Sequence, residues 1–224
     1  METLEPESRA MTVISSATVP RSSAVTARLS SAAILAYQIL LLAAIFIKPE
    51  VDPTHKPVSE YAIGRHGWVT VLAFLMAALS YGCLLVAVRP LVRGRAGRIG
   101  LAVLAACVIG TIGVGVFVAD PVATPLSELT ARGTVHAVSG LAALVLLPFA
   151  ALLITRDLAR TVTGAASVLW WTAWLPLSGL VLHWLVSVVV PPEGWPPRFL
   201  FLTYAVWILV VNAQIPRIPR RARR

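Results

Sequence analysis

Histidine titrates near neutrality and is the commonest protein ligand for zinc. The chain has four, His55, His66, His136 and His183. With Ser59 and Asp120 they make up the inventory of a metal-dependent hydrolase. In such an enzyme about three protein ligands hold a zinc ion, and the open position holds a water whose pKa falls to about 7. His136, His183 and either His55 or His66 would then be the metal ligands. Asp120 would orient a ligand or act as base, and Ser59 would stabilise an oxyanion. Glu60 and Arg198 stand beside them as candidate binding residues. Against this reading, no two histidines have the i, i+4 spacing that puts a pair on one helix face.

The elements that must position these residues are helices in a membrane. Of the 224 residues, 58% are hydrophobic and 13% charged, against about 25% charged in soluble domains. A mean hydropathy of +0.81 leaves too little polar surface for a water-soluble globule. It excludes an ordinary cytosolic enzyme, a disordered chain and a disulfide scaffold. A spanning helix needs about 20 mostly apolar residues. Six stretches qualify: Leu29–Ile47, Trp68–Val88, Ile99–Val118, Val135–Ile154, Val168–Val190 and Phe199–Ile215. Transmembrane strands would instead alternate polar and apolar over about 10 residues. The pattern predicts an all-α membrane protein, a six-transmembrane-helix bundle over residues 29–215. Residues 1–28, rich in Ser, Thr and Ala, read as a disordered tail, and residues 216–224 as a basic tail. The first span exceeds a signal-peptide core of about 7–15 residues, so an uncleaved first helix is expected.

Six spans return both termini to one side. That side collects 14 of the 19 lysines and arginines with four acids; the other has five bases and six acids. The positive-inside rule makes both termini cytoplasmic and places the protein in a bacterial cytoplasmic membrane. The net charge of +9 is then a topology signal, and no nucleic-acid partner is expected. The bilayer is the partner, with anionic lipid a candidate at the C-terminal cluster RIPRRARR. All four histidines and the acids Glu50, Asp52, Glu60, Asp120, Glu128 and Glu193 fall on or near the outer half. His183 lies roughly 10 Å deep at 1.5 Å per residue, where an ionisable group usually faces the bundle interior or water.

Gly110, Gly113 and Gly115 read as a close-packing face, and Cys83 and Cys107 as packing residues. Asn212 and Gln214 are expected to reach the headgroup layer. The strings PVSE and PLSE each precede an even-numbered helix. Ser127 and Glu128 read as caps; for Ser59 and Glu60, capping and a site role both stay open.

Four strings fall in a distinctive order: PVSEYAIGRHGW after the first helix, VFVADP closing the third, RGTVH opening the fourth and EGWPPR before the last. On these the chain resembles, over about residues 29–215, the bacterial membrane proteins grouped as domain of unknown function 998. The resemblance implies a six-span protein of uncharacterised activity with Ser59, Glu60, Asp120 and His136 at family-typical positions.

Three functions follow, in this order. The first is a structural, sensory or accessory membrane protein whose outer polar groups lock loops to helix ends. The second is a membrane-embedded metal-dependent hydrolase acting on a lipid-like substrate at the outer face. The third is a small transporter, disfavoured by a midplane without deep carboxylates. No phosphate loop, nucleophile elbow, CxxC or dinucleotide fingerprint occurs. Convergence of Ser59, Asp120, His136 and His183 on one cavity would separate the second reading from the first.

Overall fold

The computed structural model describes residues 20–189 and 194–217. The expected N-terminal tail up to residue 19, Glu193 and the arginines beyond 217 lie outside the described residues. Six helices make the fold: α1 (Arg21–Ile47), α2 (Trp68–Val88), α3 (Arg95–Val116), α4 (Ala131–Leu158), α5 (Ala166–Val189) and α6 (Trp195–Gln214). Each is long and apolar enough to cross a membrane, and no strand occurs among the described residues. The chain is an all-α, six-helix membrane protein.

The helix α2 has the bounds expected from hydropathy, whereas α1, α3, α4 and α6 begin a turn or more earlier. Polar first turns keep helical geometry outside the apolar stretch, and hydropathy does not register them. The largest departure is in α1. Residues 21–28, expected to be tail, form about its first two turns, with Ser23, Ala24 and Ala27 buried.

Lipid supplies no hydrophobic drive between helices, so close approach and hydrogen bonding hold them together. A Cβ on Gly110 would lie 2.8 Å from the Ser139 carbonyl oxygen of α4, and one on Gly113 would lie 2.5 Å from Ser139 Oγ. Glycine is what lets α3 and α4 meet this closely. Gly115 turns the other way, toward Leu75 of α2.

Each end of the α3–α4 hairpin is closed by an aspartate on a helix N-terminus, where unsatisfied N–H groups and the helix dipole favour negative charge. Asp157, buried in the last turn of α4, accepts from the Arg93 N–H (2.6 Å) and the Gly94 N–H (2.8 Å) leading into α3. At the opposite end Asp120 accepts from the Thr130 N–H (2.7 Å) and hydroxyl (3.0 Å). Thr130 Oγ1 in turn accepts from the Gly133 N–H at 3.0 Å as N-cap of α4. Thr130 and Asp120 therefore do the capping expected of Ser127 and Glu128, which are exposed in a short 3-10 turn.

Asn212 and Gln214, expected to reach the headgroup layer, are buried within the bundle. Asn212 Nδ2 donates to Ser30 Oγ at 2.9 Å, and Ser30 Oγ lies 3.2 Å from Ser80 Oγ, which ties α6, α1 and α2 together. Trp207 Nε1 donates to Thr155 Oγ1 at 3.0 Å, tying α6 to α4. Asp157→Ala leaves two N–H groups at the start of α3 without their acceptor. It is expected to cost about 1–3 kcal/mol, read as a lower thermal-unfolding midpoint in detergent, while Glu128→Ala at the exposed turn leaves the midpoint unchanged.

Candidate functional site

At the end of the bundle carrying the 48–67 and 117–130 connections, the helices do not close on one another. They leave between them a partly open chamber of about 240 Å³ to which all six contribute. Tyr37 comes from α1, Tyr81 from α2, Thr111 from α3, His136 from α4, His183 from α5 and Tyr204 from α6, with Pro57, Val58 and Ser59 of a 3-10 turn (Val58–Ala62) forming the wall at the loop end. Tyr37 stands roughly 15 Å along α1 from Ile47, so the chamber reaches well into the bundle.

Of the candidate residues, Ser59, His136 and His183 therefore share one chamber. His136 is buried, and its Nδ1 lies 2.7 Å from the Phe117 carbonyl oxygen. A carbonyl only accepts, so Nδ1 carries the proton and the lone pair of the neutral ring sits on Nε2. Phe117 closes α3, so the end of one helix sets the tautomer of a residue on the next. The His136 ring also meets Phe74 edge-on, with centroids 6.3 Å apart. His183, on α5, is buried and its ring lies 5.7 Å from that of Trp184.

The tyrosines were not singled out in the sequence. The chain has four, all are buried, and three line the chamber. Tyr204 donates its hydroxyl to the Leu144 carbonyl at 2.6 Å, and Thr111 donates to the Cys107 carbonyl at 2.8 Å. The Tyr37 and Tyr81 hydroxyls bond to no protein atom among the described residues. No side chain in the chamber wall carries a fixed charge. The signal that could have revealed these tyrosines is a hydroxyl-bearing ring in the middle of an apolar span, where a polar tip needs a partner.

Asp120, Glu60 and Arg198 hold the frame. Asp120, expected to be catalytic, is committed to the start of α4 and does not line the chamber. Glu60, expected to bind a ligand, accepts from the Val122 N–H and lies 3.8 Å from Lys56 Nζ, joining the two long connections. Arg198, the other expected binding residue, donates through Nη1 to the carbonyls of Pro53 (3.2 Å), Lys56 (3.1 Å) and Gly194. Its guanidinium also lies over the rings of Tyr61 and Trp195, 5.4 and 5.8 Å from their centroids. Lys48, buried at the end of α1, donates to the carbonyls of Tyr61 and Ile63. Tyr61 closes the set by donating to the Val51 carbonyl at 2.6 Å. Burial pushes the Tyr61 phenol above its ordinary range, with the Arg198 charge acting in the opposite direction, so Tyr61 is a neutral donor here.

The zinc reading fails on its donor set. Among the described residues no three of His, Cys, Asp and Glu come together as one ion requires. His55 pairs with Asp52 at 3.1 Å on the surface, His66 is exposed, and neither lines the chamber with His136 and His183. Lys48→Met removes the donor to two carbonyls of the 3-10 turn. It is expected to speed amide hydrogen exchange across residues 58–63 by about ten-fold, measured by mass spectrometry, with exchange in α3 and α4 unchanged.

No curated protein and no solved structure matches the chain. A family model described as "Protein of unknown function (DUF998)" matches residues 31–214. That range takes in the chamber, the turn that walls it and both aspartate clamps. On a match of this extent, the chain belongs to the DUF998 family of proteins of unknown function.

Proposed function

We propose that this protein is a sensory or accessory membrane protein whose central chamber holds one small, uncharged, hydrogen-bonding molecule. The observation that carries this reading is the wall itself: every helix contributes to it, and its polar groups are histidine, tyrosine, serine and threonine, with no acid, lysine or arginine. A hollow whose wall carries several polar groups takes up water or a ligand, whereas a wholly apolar one stays dry.

The hydrolase reading is less well supported. Ser59 and His136 share the wall, but no hydrogen bond joins them, and Asp120 is occupied at α4. An ion-coupled carrier would want a carboxylate in the chamber, and none lines it. The 14-to-5 division of basic residues supports cytoplasmic termini, and hence a chamber in the outer half of a bacterial cytoplasmic membrane. The C-terminal arginines would then face anionic lipid.

Gly140 provides the test. It lines the chamber, and a Cβ there would meet only Val114 Cγ2, at an ordinary 3.5 Å. Gly140→Leu fills the chamber while replacing a mid-helix glycine, a change that favours the helix by up to about 1 kcal/mol. The variant is expected to melt at the same or a higher temperature than the parent. In native mass spectra of protein released from nanodiscs of bacterial lipid extract, the parent carries a one-to-one small-molecule adduct and Gly140→Leu lacks it. Identical spectra for the two proteins would overturn the reading.

A further inference from the structure

The chamber is small for a whole lipid, since ligand pockets commonly enclose about 300–1,000 Å³. On the far side of His183 a second hollow of about 440 Å³ runs between α5 and α6. His183 belongs to the walls of both. The second wall is almost wholly apolar, formed by residues such as Leu182, Val186 and Leu200. Leu182 and Phe199 of the same wall lie exposed on the outside of the bundle, where the helices meet lipid. At the loop end Lys48, Glu60 and Arg198 hydrogen-bond the connection that walls the chamber there.

Building on the ligand-holding reading, we infer that the chamber's occupant is a single-chain lipid alcohol that enters from the bilayer between α5 and α6. Its hydroxyl sits in the chamber and its tail lies in the α5–α6 groove. The hydroxyl follows from the bonds the wall has to offer. With Nδ1 donating to Phe117, His136 Nε2 needs a donor from the ligand. Tyr37 and Tyr81 offer donors to it. An O–H both donates and accepts, so it answers both demands. An ester or ketone accepts but has nothing to give Nε2. A carboxylate or phosphate would be desolvated with no lysine or arginine in the wall, and an amine with no acid. The tail follows from volume and polarity: the chamber takes the head, and the apolar groove that shares His183 with it takes a chain.

The full-length protein in nanodiscs, titrated with 1-dodecanol, dodecanoate, dodecyl methyl ether and the short 1-hexanol at pH 8, tests this by thermal shift and native mass spectrometry. Dodecanol is expected to bind about ten-fold tighter than dodecanoate or the ether. Leu182→Trp, a lipid-facing change that fills the groove, is expected to weaken dodecanol about ten-fold and leave 1-hexanol unchanged. His136→Phe weakens both alcohols. Preference for dodecanoate or the ether would overturn the alcohol while leaving a ligand-holding chamber. Undiminished dodecanol binding by Leu182→Trp would overturn the groove as the tail's site. Equal dodecanol binding by Gly140→Leu and the parent would overturn both this inference and the reading beneath it.

Discussion

A polar atom inside a bilayer has no water to bond with, so it pairs within the protein or faces a hollow. The half of the bundle away from the long connections takes the first course. Ser30, Ser80 and Asn212 bond one another, Trp207 bonds Thr155, and Asp157 closes the start of α3. The other half takes the second, with Tyr37, Tyr81 and His136 brought to a chamber. The contrast gives the chamber its meaning. Polar side chains of the first half bond across helices, whereas at the other end His136 and three tyrosines are gathered around one space that all six helices share.

Charge divides the residues at this end of the bundle by role. Those with fixed charge, Lys48, Glu60, Asp120 and Arg198, lie outside the chamber and bond backbone groups of the connections and helix starts. The residues that face the chamber are neutral or, as histidines, can be. Fixed charges are at home at the ends of a bundle, where field and partial hydration are available. The same charges deep in the chamber would need partners that the apolar helices do not supply. The chamber is thus held by charged residues without being charged itself, which suits a ligand arriving from lipid rather than from water.

The six helices were legible because spanning lipid demands long apolar runs, and α2 was bounded correctly from hydropathy alone. The turns at Arg21, Arg95, Ala131 and Trp195 were not, since a helix continues into its polar ends where the apolar signal stops. His136 and His183 stood out as ionisable groups at depth, and Ser59 through its place in PVSEYAIGRHGW. Asp120 stood out as a charge at a helix end and Arg198 through the string EGWPPR, but which acceptor or N–H each would meet depends on how two connections fold together. Tyr37, Tyr81 and Tyr204 went unnoticed because a tyrosine in an apolar span resembles any other aromatic packing residue. Only the rotation of α1, α2 and α6 about their axes brings the three hydroxyl-bearing rings to one space, and one-dimensional spacing carries no rotation between helices. Asn212 was misplaced for the same reason: nearness to the end of α6 suggested headgroups, while its face of the helix looks inward to Ser30.

The central claim is that the chamber is a binding site for an uncharged molecule rather than a packing defect. An experimental density map of the protein purified in its native membrane lipids tests it most directly. The account predicts elongated density that begins within hydrogen-bonding reach of His136 Nε2, passes His183 and ends in the groove between α5 and α6. A chamber closed by its own side chains, or one holding water alone, would contradict it.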